Sequence, residues 1–265
     1  MVYIPKTAEG RNVKSEGFMA EPDYADSFEK YRSKTTETTA ALIRSVLRYV
    51  PPSPGARVID IGCGTGRYAL LLASATKAQI FAADLSREML KKGRQEDNAQ
   101  HVSWFLSDAC EMPFANESFD ASLLFLVLHV VKDSKTALQE AYRILRPGGY
   151  CLIFAHSYSQ LDRQTIFRLF PEARKLNKRR MLSLTKLKKL VREIGFHHLR
   201  TEEFVETITY PRDAFLEKVR GKPNTSLRSM TDDDFQRRYE ALEAAVAGQE
   251  KCTEETFGTL MAARK

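Results

Sequence analysis

One run constrains this chain more than any other: Val58-Ile59-Asp60-Ile61-Gly62-Cys63-Gly64-Thr65-Gly66. Branched apolar residues lead into alternating glycines, and Tyr68-Ala69-Leu70-Leu71-Leu72-Ala73 follows with helical character. The pattern predicts a buried strand, a tight glycine turn and a helix. Glycine at such a turn lets a ligand lie against the backbone where a side chain would clash. The helix beyond it offers free N–H groups and the positive end of its dipole. The dinucleotide fingerprint G-x-G-x-x-G is not met; the spacing is G-x-G-x-G, with Asp60 two positions before Gly62. A carboxylate there either holds an ammonium group or orders the glycine loop. That favours a ligand with an amino-acid end over one with a pyrophosphate.

The alternation continues downstream. Strands are predicted at 57–61, 79–84, 102–106, 120–125 and 150–156, with helices at 68–74, 87–98 and 134–145 between them. Strict alternation implies a parallel, doubly wound sheet with right-handed crossovers. The almost wholly apolar 120–125 segment suits a central strand buried on both faces. Asp84 ends the second strand eighteen residues after Gly66, near the spacing at which an acid meets ribose hydroxyls in nucleotide folds. Ser86 is placed to cap the next helix. Arg146-Pro147-Gly148-Gly149 breaks the helix before the fifth strand.

The flanks differ in character. Residues 1–22 mix Gly, Lys, Glu and Ser without periodicity and read as a flexible arm. Tyr24, Phe28 and Tyr31 then recur as on one helix face, and a second helix covers 36–50. The C-terminal third predicts helices at 160–170 and 185–193 joined by the basic segment 174–180. A strand at 199–210, a helical insertion and a last strand at 256–263 follow.

At 265 residues the chain is long enough for one α/β domain with insertions. Its apolar runs, such as 123–131, are too short to span a bilayer, and the N-terminal residues lack a signal-peptide pattern. A cytoplasmic protein without stable membrane insertion is expected. Cys63, Cys110, Cys151 and Cys252 are widely spaced with no C-x-x-C pair, so neither structural zinc nor disulfides are expected. The net charge of +7 reads as a solvated basic surface or as a surface for an anionic partner. The Lys178-Arg179-Arg180 cluster carries the same two readings.

Motifs on five consecutive units, in order, resemble those of the class I S-adenosylmethionine (SAM)-dependent methyltransferases. The likeness is to the small-molecule group of methyltransferase type 11 domain proteins that includes the ubiquinone/menaquinone C-methyltransferases. The residues that carry it are Asp60 to Gly66, Asp84-Leu85-Ser86, Ser107-Asp108-Ala109, Phe119-Asp120 and Leu145 to Gly149. The resemblance implies an α/β, Rossmann-like, seven-stranded doubly wound sheet whose last strand is antiparallel. It implies an N-terminal helical lid within 1–50 and a methyltransferase domain over 51–265. That domain has a core at 57–156, substrate-side helical elements at 158–193 and 211–248, and a final strand at 256–263. SAM is the implied cofactor and S-adenosylhomocysteine the product.

The implied cofactor-binding residues are Asp60, Gly62, Cys63, Gly64, Gly66, Asp84, Leu85, Asp108, Ala109 and Leu126. Asp84 would accept both ribose hydroxyls, and Asp108 the adenine amino group unless it serves as a helix N-cap. Tyr24 and Tyr31 would belong to a lid helix, or to ordinary core packing. His129, after the fourth strand, reads as a general base, a pocket-lining residue or a packed structural histidine; an imidazole titrates near neutral pH and suits proton removal. A small-molecule acceptor is the leading function. A nucleic-acid methyltransferase is disfavoured because Leu126-Val127-Leu128-His129 stands where base-modifying relatives carry Asn/Asp-Pro-Pro-Tyr. A non-catalytic SAM-binding protein is the remaining alternative, and a monomer or homodimer is expected.

Overall fold

The structure, a computed structural model, describes Lys30, residues 36–96 and residues 98–265. Tyr24, Phe28, Tyr31 and the expected arm at 1–22 lie outside the described residues. Strands β1 (Arg57–Ile61), β2 (Gln79–Asp84), β3 (Val102–Leu106), β4 (Phe119–Phe125), β5 (Leu145–Ala155), β6 (His197–Pro211) and β7 (Lys251–Arg264) form one sheet. Their order is β3-β2-β1-β4-β5-β7-β6. β1 to β5 pair in parallel, and β7 runs antiparallel to both β5 and β6. The order reverses between β1 and β4. In open α/β sheets that reversal leaves a crevice beyond the strands' carboxyl ends.

Helices α1 (Glu37–Leu47), α2 (Arg67–Ala75), α3 (Arg87–Gly93) and α4 (Ser134–Ile144) precede β1, β2, β3 and β5, while a helix-free connection joins β3 to β4. Each start has a local cause. Thr36, Ser86 and Asp133 are N-caps whose side chains accept from Thr39, Met89 and Thr136 N–H groups. One sheet face buries Ile59, Ile61, Leu124 and Ile153 with Leu138 of α4. The other buries Val58, Leu123 and Leu152 with Val46 of α1 and Leu72 of α2. Each fully buried aliphatic side chain contributes about 1.5–3 kcal/mol relative to exposure. Asp120 pins the opposite end of the sheet: Oδ2 accepts from Arg57 N–H at 2.8 Å and Oδ1 from Arg146 Nη1 at 2.7 Å. This motif acid thus holds the amino ends of β1 and β5, away from the crevice.

Beyond β5 lie α5 (Tyr158–Arg163), α6 (Thr165–Leu169), α7 (Pro171–Arg180) and α8 (Leu184–Ile194). Inserted between β6 and β7 are α9 (Arg212–Arg220), α10 (Thr225–Arg228) and α11 (Asp232–Val246). α5, α6, α7 and the inserted helices share an apolar cluster of their own, with Phe170, Leu227, Phe235 and Tyr239 buried in it. Phe170 and Phe235 stack with centroids 5.7 Å apart. Lys218 pairs with Glu254 and donates to the Tyr210 hydroxyl, locking α9 to the β6–β7 ribbon.

Several expected bounds shift. The helix expected over 87–98 ends at Gly93, and Asn98 turns left-handed (φ 67) into a 3₁₀ turn at Ala99–His101. A Cβ on Gly93 would lie 2.5 Å from the Thr65 carbonyl oxygen, so α3 closes against the glycine loop. The helix expected over 160–170 splits at Gln164, whose ψ of 133 is extended and whose side chain donates to the Phe257 carbonyl at 3.2 Å. The basic segment 174–180 is helix, not linker: Pro171 opens α7 at its first turn. Residues 146–149 lie within β5 as a bulged entry, with a register shift between Phe119 and Ala121. β6 and β7 outrun the expected 199–210 and 256–263: they pair with each other as far as Pro211 and Lys251, and at that end Cys252 packs into the helical cluster rather than the main core.

Arg238 of α11 grips Glu172 of α7 through two bonds, 2.9 and 2.8 Å, and this pairing lowers the Glu172 carboxyl from its usual 4.5 to about 2. A depressed carboxyl stabilises above its unfolded value and loses that contribution as pH falls. Glu172→Gln is expected to cost up to about 1 kcal/mol at pH 7. The difference from wild type should shrink from pH 4.5 downward and vanish near pH 2, read by urea unfolding at a series of pH values.

Candidate cofactor and acceptor site

The glycine run folds over the tip of β2. Gly62 and Cys63 N–H groups both donate to the Ala83 carbonyl, at 2.7 and 3.0 Å, and Gly66 N–H donates to Cys63 O at 2.9 Å. Gly62, Gly64 and Gly66 have φ of +70, +57 and +77, a region that side chains resist. The three glycines then part company. A Cβ on Gly62 would fall 2.1 Å from Val127 Cγ2, and one on Gly66 would fall 2.2 Å from Trp104 Cη2. A Cβ on Gly64 would meet nothing within 4 Å. Clash with a ligand was the expected reason for all three glycines. Packing against the protein itself explains two of them, and Gly64 alone faces open space.

Asp84 organises this loop. Its Oδ2 accepts from Gly64 N–H at 2.7 Å and its Oδ1 from Ser86 N–H at 2.8 Å. A carboxylate has about four lone-pair sites, so it retains capacity for a further donor. Burial raises its carboxyl above the usual 3.8, and the N–H groups of Ser86, Gly64 and Leu85 oppose the rise. Leu85 beside it is 70% exposed, among the most exposed large apolar side chains of the described residues. Asp60 is 1% exposed in β1, flanked in register by Ala82 and Leu123.

Ser107 N–H donates to Asp84 O at 3.0 Å, which brings the end of β3 to the same rim. Asp108 Oδ1 accepts from Cys110 N–H at 2.8 Å. No helix starts there, so the N-cap alternative is corrected: the side chain forms an Asx turn. Ala109 beside it is buried.

At the end of β4, Leu126 has φ +54, uncommon for a side chain without a short polar tip. Its N–H donates to Phe154 O at 2.8 Å, tying the end of β4 to β5. The turn that follows sets Val127 against Gly62 and carries the half-buried His129. The end of β5 carries a second histidine, His156, whose Nδ1–H donates to the Phe257 carbonyl. With Ser157 and Thr259 it lines a small cavity opposite Leu182, Leu184 and Leu187. The structure therefore gathers Asp60, Gly62, Cys63, Gly64, Gly66, Asp84, Leu85, Asp108, Ala109, Leu126 and His129 at the carboxyl ends of β1 to β4 and on the loops that follow them. Trp104, which buttresses Gly66 and Gly93, and His156 were missed. A signal for His156 was present: like His129, it follows directly on an apolar strand.

Residues 59–153 match the model of a methyltransferase domain. The ubiquinone/menaquinone biosynthesis C-methyltransferase UbiE of Desulfotalea psychrophila is 39% identical over 101 residues, 37% of this chain and 41% of that protein. The O-methyltransferase resE of Aspergillus sclerotiorum is 28% identical over 211 residues, 76% of this chain and 75% of that protein. Phosphoethanolamine N-methyltransferase 2 of Haemonchus contortus, solved in complex with SAM, superposes with a TM-score of 0.61 at 20% identity, covering 96% of this chain and 60% of that one. The chain thus spans under half the length of the first of these relatives. Residues 59–153 are thus similar to a methyltransferase domain, and the chain shares its fold with that solved methyltransferase.

The glycine geometry sets a clear expectation. Gly62→Ala and Gly66→Ala should each lose about 3 kcal/mol or more, from overpacking added to a strained φ. Gly64→Ala should lose only about 1–2 kcal/mol. Thermal or urea unfolding of the three variants checks the order.

Proposed function

We propose that the protein transfers a methyl group from SAM to a small-molecule acceptor. The observation that carries the proposal is the cradle at Gly64: a backbone open on one side, braced on the other by the Asp84 carboxylate. In this reading Asp84 accepts the ribose hydroxyls and Leu85 lies along the base. Asp108 takes the adenine amino group, with Ala109 packed on the ring. Gly62, Cys63, Gly64 and Gly66 admit the methionyl part, and Asp60 orders their loop from below. Leu126, held by its bond to Phe154, lines the path of the methyl group, and His129 lines the acceptor side.

SAM bound there supplies an electrophilic methyl on a sulfonium, so the chain need provide no covalent nucleophile. Its task is to align the acceptor, exclude water and remove a proton where the acceptor requires it. A small molecule is favoured over nucleic acid by the apolar Leu126-Val127-Leu128-His129 turn. Two curated relatives are named for carbon and oxygen methylation and a structural neighbour for nitrogen methylation. The acceptor atom therefore varies on this fold. Free Cys63, Cys110, Cys151 and Cys252 suit a reducing, cytoplasmic setting, and no described helix is long and apolar enough to cross a membrane.

Calorimetry with SAM tests the reading. Wild type should release heat on binding, and Asp84→Ala should weaken binding about 100-fold through the loss of two bonds to a charged group. Wild-type affinity should also fall as pH drops through the raised Asp84 carboxyl, beginning above the usual 3.8, because protonation removes the acceptor. No heat from the wild type, or unchanged affinity in the variant, contradicts the proposal. Methyl-labelled SAM with a cell extract, followed by mass spectrometry of labelled products, then identifies the acceptor.

A further inference from the structure

We propose that His156 takes the proton from the methyl acceptor, and that this acceptor presents an ionisable hydroxyl on an apolar body. The inference rests on the methyltransferase reading above and adds to it a catalytic residue and an acceptor class.

The position of His156 follows from the sheet. β4 and β5 are parallel neighbours with Phe125 opposite Phe154, and Leu126 N–H reaches Phe154 O. His156, two residues past Phe154, therefore stands beside the end of β4, on the rim that carries Leu126.

Its tautomer follows from its partner. A backbone carbonyl can only accept, so the ring nitrogen that meets Phe257 O, Nδ1, carries a proton. Gln164 Nε2 lies 3.2 Å from both that carbonyl and Nδ1; an amide N–H can only donate, so with Nδ1 protonated it serves the carbonyl, and the two donors converge on one oxygen and hold the imidazole edge in place. Burial pushes the His156 pKa down, outweighing the Phe257 bond, and so disfavours a second ring proton at neutral pH. The lone pair then resides on Nε2, the nitrogen suited to accept a proton.

The surroundings are built for a fixed position. Gln160 Oε1 accepts from Ser157 N–H at 2.8 Å, and Gln160 Nε2 donates to Thr259 Oγ1 at 2.8 Å. Ser157, Gln160, Gln164 and Thr259 are all buried. A buried polar group is costly unless bonded, and these are bonded to one another or to β7. The cavity beside them is polar along His156, Ser157 and Thr259 and apolar along Leu182, Leu184 and Leu187. As folded it has room for a water-sized group, which matches a hydroxyl rather than a whole ring. An acceptor with a hydroxyl at one end and an apolar body against the leucines fits this division.

The step balances. The acceptor oxygen forms the new O–CH₃ bond, and the S–CH₃ bond breaks with its electron pair passing to sulfur, leaving a neutral thioether. The hydroxyl proton passes to His156 Nε2 and leaves to solvent after product release.

Imidazole ¹⁵N NMR on the full chain, saturated with S-adenosylhomocysteine, tests the proposal with phenol as probe and toluene as its hydroxyl-free control. His156→Asn keeps a donor toward Phe257 and removes the basic nitrogen, and its missing resonances assign His156. His156 is expected to show the Nδ1–H tautomer, with an Nε2 resonance that moves on adding phenol and stays on adding toluene. His156→Asn is expected to keep its S-adenosylhomocysteine affinity within about twofold and to lose phenol affinity about fivefold or more. A proton on Nε2, an Nε2 resonance indifferent to phenol, or equal phenol affinity in the variant overturns it. SAM calorimetry on the same sample separates the two readings: absence of heat there sinks the methyltransferase proposal, whereas heat with an indifferent His156 sinks only this one.

Discussion

The bond from Gly64 N–H to the Asp84 carboxylate joins what the sheet order alone would leave as two separate tips. β1 ends in a loop of three left-handed residues, a conformation with little intrinsic stability. β2 ends in an acid whose burial is costly. Each offsets the other: the carboxylate gives the loop a fixed shape, and backbone N–H groups from Gly64, Leu85 and Ser86 solvate the carboxylate. The loop is further clamped by Val127 from β4's end and by Trp104 from β3. Four consecutive strand ends therefore define one rim, and a change in any of them is felt at Gly64.

This arrangement separates scaffolding from recognition within a single motif. Gly62 and Gly66 are glycine because the protein occupies the space a side chain would need. Gly64 is glycine where the protein leaves that space open. The acids divide in the same way. Asp120 ties strand ends on the far side of the sheet, whereas Asp84 and Asp108 stand on the rim with one face turned to backbone donors. Helices α5, α6 and α7, joined by those between β6 and β7, enclose a separate apolar cluster around Phe170 and Phe235, whereas α8 packs on the sheet through Leu187 and Val191.

Much of the parallel core was legible in the sequence. β1, β2 and β3 fall where the apolar runs predicted; β1, buried along almost its whole length, has no alternative pattern to follow. Asp84 was legible by spacing. The C-terminal third was harder to read. Gln164 breaks a helix because its side chain bonds to Phe257, a contact ninety-three residues away in sequence. In the basic segment 174–180, Arg174 and Lys178 both pair with Asp162 one helix away, and periodicity does not report such pairings. His156 escaped notice for the same reason: its meaning comes from a carbonyl on an antiparallel strand that folds back from the end of the chain.

The central claim is that the Gly64–Asp84 cradle is where SAM sits. Amide hydrogen exchange with and without SAM tests it most directly. Added SAM should slow exchange across residues 62–66, at Leu85 and Ser86, and at Ala109 and Cys110, with little change at the Asp120 end of the sheet. Protection that spares residues 62–66 and 84–86, or that appears only among α9, α10 and α11, would contradict it.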